Sequence, residues 1–295
     1  MGTSDRSSER VDFPAASKVA GRSRHYKAEV HPSWDGPLTT HGGLLQAIAL
    51  RAIDAEINAD RRMQARSVTC HYLRAPEHGE VDIFVDPLRR GRRFASTRAT
   101  LSQKGKPCIA AIATHSVRGM AEVAHWALSP PEVAPPPGRD AAKLEAGQLT
   151  PEAWLQMPAG APRFFEQLLL APRFGAGPFA GAEVDPAVGT SNGGWLTTPE
   201  PQRIDAEWLT LVVDALWPSV LEPLREPAMA PTLDLTTHIR ADIPEDGLPD
   251  QPLLVHNVSR AALNGLSDSD SFVFSADGEL LAQGRQLQLL QPLGN

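Results

Sequence analysis

Two stretches of this chain are apolar in the manner of a core helix, and each stands beside segments that alternate. The first is Leu44 to Ile53, nearly apolar on all sides, entered through Thr39-Thr40-His41-Gly42-Gly43. Such a helix is normally wrapped by other structure. A short strand at Lys27 to His31 precedes it. Strands are expected after it at Arg66 to Leu73, Val81 to Val85, Phe94 to Leu101 and Cys108 to His115, with Lys104-Gly105-Lys106-Pro107 as a turn. In the second stretch Leu209, Val212, Val213 and Leu216 recur at helical spacing. Asp205 is the expected N-cap and Pro218 the expected stop, so the helix is predicted over 205–217. Strands are expected before it at Phe164 to Leu170 and Gly194 to Thr197. Others are expected after it at Thr232 to Ile239, Leu253 to Arg260, Asp270 to Ser275 and Glu279 to Leu290.

The element order strand, helix, meander therefore occurs twice. The last hairpins echo each other: Ser102-Gln103-Lys104-Gly105 and Ser275-Ala276-Asp277-Gly278 each lead into a strand. Together these favour an internal duplication in an α+β fold, each sheet curling round its own helix. The expected divisions are a disordered tail over 1–24, a first unit over 25–118, a linker over 119–160 and a second unit over 161–295. The linker is punctuated by Pro130-Pro131 and Pro135-Pro136-Pro137-Gly138, with a short helix expected near Asp140 to Glu145.

Charge and composition narrow the function. The formal net charge is −7, which disfavours nucleic acid as a partner. The one basic cluster, Arg89-Arg90-Gly91-Arg92-Arg93, reads as a solvated hairpin tip. Cys70 and Cys108 read as small core residues in a reducing compartment. The nine histidines show no metal-ligand spacing, so neither metal nor other cofactor is expected. No apolar run reaches the length of a membrane span, and the N-terminus lacks the apolar core of a signal peptide. The cytoplasm is the expected location.

Asp214 is the only charge between Trp208 and Trp217. A carboxylate inside an apolar helix is costly unless paired, which makes it a candidate for chemistry. The plainer alternative puts it at a helix edge, meeting water or an arginine.

The chain resembles the type II (TesB-like) acyl-CoA thioesterases, which are double hotdog proteins. The resemblance rests on His41-Gly42-Gly43, Tyr72-Leu73-Arg74, Leu88 to Phe94 and Gln103 to Pro107 in the first half. In the second it rests on Asp214, Thr232-Leu233-Asp234, Asp277-Gly278 and Gln286. It covers roughly Tyr26 to Leu290 outside the linker. It implies two antiparallel sheets, each wrapped around a central helix, acyl-CoA as the substrate partner, and a homo-oligomer. It also implies a catalytic Asp214, Thr232 and Gln286 that activate a water. The first copy has Ala113 eight residues after Gly105, where the second has Gln286 eight after Gly278.

The residue types suit that chemistry. A carboxylate can take the proton of the attacking water, and burial would make it a better base. Thr and Gln hold the geometry by hydrogen bonds. Gly42 and Gly43, opening a helix, are candidate N–H donors to the oxyanion.

Plainer readings stand beside each. Thr232 is an ordinary strand residue, Gln286 sits among Gln283, Gln288 and Gln291, the glycines allow a tight turn, and His41 is structural or capping. Asp234, two residues after Thr232 on a strand, rivals Asp214. The Asp214–Thr232 spacing is shorter than usual in the family, and Leu235 replaces a residue there that is often polar. These departures leave acyl preference open.

Three rival functions remain. A non-catalytic acyl-CoA or lipid-binding protein would use the same groove. A serine hydrolase would use Gly189-Thr190-Ser191-Asn192-Gly193, but that stretch reads as a loop rather than a strand-to-helix elbow. A hydratase would need an Asp/His pair, and none is evident.

Overall fold

The computed structural model describes residues 10–37, 39–58, 62–146 and 163–293. The chain enters the fold earlier than its composition suggests. Residues 10–24, expected in a disordered tail, form helix α1 (Phe13–Ala16) and strand β1 (Ala20–Arg22). The reason is one aromatic anchor. Phe13 is 2% exposed and sits edge-on to Trp208, with ring centroids 4.9 Å apart, and to Trp34 at 6.2 Å. Burying a phenyl ring contributes about 1.5–3 kcal/mol toward ordering the segment, and the Trp34 indole donating to the Val11 carbonyl and Arg51 donating to Ser17 add to it.

Strand β2 (His25–Val30) leads to helix α2 (Gly42–Ile57), then to a meander of β3 (Met63–Tyr72), β4 (Gly79–Arg90), β5 (Phe94–Gln103) and β6 (Lys106–Val117). Eleven of the 16 residues of α2 are buried, as its all-round apolar pattern demands. The arginine cluster forms the β4–β5 hairpin tip. Both cysteines are free and buried, and burial pushes the Cys70 thiol up to about 12.

Helix α3 (Arg139–Ala146) lies where a short helix was expected, while 147–160 of the expected linker and the first two residues of the expected second unit fall outside the described residues. Phe164 to Leu170, expected as a strand, begins instead as a 3₁₀ turn over Arg163–Glu166, and β7 starts later (Leu169–Phe174). Tertiary contacts override strand propensity here. The Phe164 amide donates to the Asp35 carbonyl at 3.1 Å, and its ring packs edge-on against His41.

The second half continues with β8 (Thr190–Thr197), α4 (Ala206–Val212), β9 (Ala228–Met229), β10 (Thr232–Ile239), β11 (Leu253–Ser259), β12 (Ala262–Leu263), β13 (Leu266–Phe274), β14 (Leu280–Leu289) and β15 (Gln291–Pro292). The echoed turn glycines, Gly105 and Gly278, have φ of +72° and +85°, a region that favours glycine.

The expectation of two sheets is corrected. Thirteen of the strands form one antiparallel sheet, in the order β1-β2-β4-β5-β6-β3-β10-β14-β13-β11-β8-β7, with β12 on β13, and β9 pairs separately with β15. The halves join because β3 and β10 pair across Ser67–His71 and Asp234–His238, which leaves neither as an open edge. Buried Gln46 of α2 secures this seam. Its amide donates to the Val68 and Leu235 carbonyls and accepts from the Thr237 hydroxyl. One hydrophobic core runs through both halves.

Candidate active site

Helix α4 is capped as expected, with Asp205 accepting from the Trp208 amide at 2.6 Å. It ends sooner than its pattern suggests. The Asp214 amide bonds the Leu211 carbonyl and the Ala215 amide the Val212 carbonyl, the i→i−3 tightening of a final turn. Asp214 therefore lies just beyond the helix rather than within it, and the argument from burial inside a helix lapses. This end of α4 is pressed against the start of α2. A Cβ on Gly43 would lie 2.9 Å from the Leu211 Cα and 3.0 Å from the Asp214 Cβ, so only glycine allows the crossing.

That close approach places the Asp214 carboxylate over the first turn of α2. Its Oδ2 accepts from the Gly43 amide at 2.7 Å, and its Oδ1 accepts from Gln286 Nε2 at 2.9 Å. Gln286 Oε1 in turn accepts from the Thr232 hydroxyl at 2.7 Å and from Gln288 Nε2 at 3.2 Å. Asp214, Gln286 and Thr232 thus form one chain of hydrogen bonds drawn from the turn after α4, from β14 and from β10. The Gln286 amide is oriented from both ends, and the carboxylate stabilises the electropositive helix N-terminus.

Asp214 and Thr232 line a cavity of about 200 Å³. Its walls include His41, Phe164, Phe165, Leu216, Trp217 and Leu221. The sequence reading missed these aromatic walls; the Phe164-Phe165 pair and the closing Trp217 were the available signal. His41 does not cap α2 through its side chain. It is 4% exposed, neither ring nitrogen has a hydrogen-bond partner among the described residues, and its Nδ1 lies 3.7 Å from Asp214 Oδ2. Burial pushes its pKa down against the pull of Asp214, so the ring is neutral at pH 7.

Asp234, the rival carboxylate, is not among the residues lining this cavity. The period-two argument fails because a bulge falls between Thr232 and Asp234, where the pairing with β14 shifts by one residue. The two glycines expected as N–H donors are placed differently. The Gly43 N–H is taken by Asp214, and the Gly42 carbonyl accepts from the Tyr72 hydroxyl at 2.9 Å. Burial raises the Tyr72 pKa well above its ordinary value, so this donor stays protonated.

The family follows from sequence comparison. A model of the acyl-CoA thioesterase N-terminal domain matches residues 30–116, and one of the acyl-CoA thioesterase C-terminal domain matches 132–290. The chain belongs to the acyl-CoA thioesterase family. No curated protein matches the sequence significantly. Among solved structures it is similar to a hot dog fold protein of unknown function from Alicyclobacillus acidocaldarius. That match has 22% identity and a TM-score of 0.76, covering 96% of this chain and 98% of the other. A putative thioesterase II from Thermobifida fusca shares 24% identity, with a TM-score of 0.70 and coverage of 94% and 97%. The acyl-CoA thioesterase II TesB2 of Mycobacterium marinum shares 18%, with a TM-score of 0.68 and coverage of 96% and 100%. These likenesses establish the TesB-like double hotdog fold.

Other features of this thioesterase-family chain bear on its rivals. The Gly189 to Gly193 motif runs into strand β8, where Ser191 pairs with Val258, so no strand-to-helix elbow exists; the loop reading is corrected too. Asp/His pairs, not evident in the sequence, do occur: besides His41 and Asp214 in the cavity, 3.7 Å apart, His115 Nε2 lies 2.6 Å from Asp54 Oδ1. His115 is wholly buried, however, and unable to touch a substrate in this arrangement. Asp54 borders a larger cavity of about 840 Å³ with Arg51 and Glu207, at the far end of α2. That cavity holds none of Asp214, Thr232 and Gln286, and size without their convergence does not make it the reaction site. Among the described residues no cluster could hold a metal ion, and no helix is long and apolar enough to cross a membrane.

Proposed function

We propose that this chain hydrolyses an acyl-CoA to the free acid and CoA, using a water positioned by Asp214, Thr232 and Gln286. The observation that carries the reading is the hydrogen-bonded chain Thr232–Gln286–Asp214 opening on an apolar cavity. Each carboxylate oxygen already accepts one N–H and retains a lone pair for the water. The Thr232 hydroxyl spends its proton on Gln286, so its oxygen remains an acceptor toward the same water. A water held by both presents its own oxygen to the thioester carbonyl.

Asp214 takes the water's proton as the C–O bond forms. Collapse of the tetrahedral intermediate breaks the C–S bond, and the proton passes to the departing thiolate. Gln286 keeps the carboxylate from rotating. The oxyanion needs N–H donors. Since the Gly43 donor is engaged, Gly42 is the member of the pair left for that role. Free-thiol release from a panel of acyl-CoAs tests the proposal. Turnover that falls at least a hundredfold in Asp214→Asn supports it; a wild type that releases no thiol from any acyl-CoA refutes it.

A further inference from the structure

The cavity beside Asp214 also limits what the acyl group can be. We infer that this protein takes thioesters of short or compact acyl groups, up to about eight carbons or a single aromatic ring, and that Trp217 sets the limit. The inference rests on the thioesterase reading of the same site.

The size argument is direct. A cavity of about 150 Å³ admits benzene, a six-carbon ring. One of about 200 Å³ therefore admits an acyl group only slightly larger. The cavity is open on one side, so a palmitoyl chain would either trail out into water or need walls that retreat, and these walls are held. Leu221 is 1% exposed, Phe164 5% and Trp217 6%. The Phe164 and Phe165 rings lie 4.3 Å apart, so neither can swing without displacing the other.

Trp217 is the most firmly fixed. Its indole N–H donates to Glu222 Oε1 at 3.3 Å, and the Arg173 guanidinium lies 5.4 Å from the centre of its ring. Its carbonyl accepts from Asn192 Nδ2. Glu222 is itself buried and also accepts from the amides of Ala176 and Gly177. A buried carboxylate outside the hydrogen-bonded chain of Thr232, Gln286 and Asp214 needs a reason, because desolvating it is costly. Clamping the indole supplies one: Glu222 is a positioning residue that keeps the wall in place. Aromatic walls also favour flat acyl groups, since rings pack edge-on or offset against rings.

The test measures kcat/KM for acyl-CoAs from acetyl to palmitoyl, with benzoyl- and phenylacetyl-CoA. Binding of non-hydrolysable thioether analogues of the same lengths is measured in parallel. The expected optimum lies at or below octanoyl, with at least a tenfold fall by dodecanoyl in both turnover and binding. Trp217→Phe and Glu222→Gln should each raise the dodecanoyl-to-butyryl ratio severalfold. Trp217→Ala should raise it further if it folds, and Trp217→Phe keeps the ring and serves where it does not. A wild-type optimum at dodecanoyl or longer overturns the size limit and leaves the thioesterase reading intact. Absence of turnover alongside tight binding of short analogues overturns only the hydrolysis. Ratios unmoved by both Trp217→Phe and Glu222→Gln overturn the role given to Trp217.

Discussion

Asp214→Asn is the sharpest perturbation of the proposed mechanism. The substitution is nearly isosteric but removes the base. The Asn carbonyl oxygen can still accept from the Gly43 amide. Its NH₂ then faces Gln286 Nε2, donor against donor at the 2.9 Å now spanned by a hydrogen bond. Gln286 can resolve this only by flipping its amide. The flip turns its NH₂ toward Gln288 Nε2, which now donates to Gln286 Oε1 at 3.2 Å. The defect thus spreads along the chain rather than stopping at one atom. Losing a general base costs roughly 10²–10⁴ in rate, or about 3–5 kcal/mol of barrier. The cavity walls are untouched, so KM should change far less than kcat. Thiol release under saturating and limiting acyl-CoA measures both, and circular dichroism melting confirms that the variant is folded. A folded Asp214→Asn protein that keeps more than a tenth of wild-type kcat would refute the assignment. Asp234→Asn is the matched control and should keep most of the activity.

The remaining predictions probe the supports. Thr232→Ala and Gln286→Ala should each lower kcat, and the double variant should lose less than the product of the two, since both act through one hydrogen-bonded chain; a strictly multiplicative loss in the cycle would mean they act separately. Gly43→Ala should destabilise by about 1–3 kcal/mol, because its new methyl meets the Leu211 backbone, and thermal melting should show a clear drop. Glu207 borders the larger cavity and is 7% exposed; burial, then the charges of Asp205 and Asp54, raise its pKa well above the ordinary value. A raised folded-state pKa means stability fully present below the unfolded value and lost as pH climbs through the folded one. Glu207→Gln should therefore melt higher than wild type at pH 8 and lose most of that advantage at pH 4; a constant difference between the two would contradict the assigned ionisation.

Much of the architecture was legible in the chain. All-round apolarity marked α2 as a core helix, and alternation found most strands because side-chain direction along a strand is set locally. The turn glycines at 105 and 278 were legible for the same reason: a backbone with positive φ selects its residue wherever it occurs. Residue types at family-like positions mark Asp214, Thr232 and Gln286.

What local pattern left open depended on distant partners. Apolar spacing extended α4 to Trp217, but Asp214 leaves the helix and hydrogen-bonds to Gly43, 171 residues away in sequence. Phe13 looked like part of a mobile tail until Trp208 gave it a surface to bury against. Thr232 and Asp234 shared a face on an ideal strand, and a bulge with β14 separated them. The two expected sheets became one because β3 and β10 satisfy each other's open edges. Local pattern along the chain set out the available parts: apolar helices, alternating strands and three polar groups. Which of them meet was settled by folding, because hydrogen bonds and close packing are fixed by distances in space that spacing along a chain does not contain.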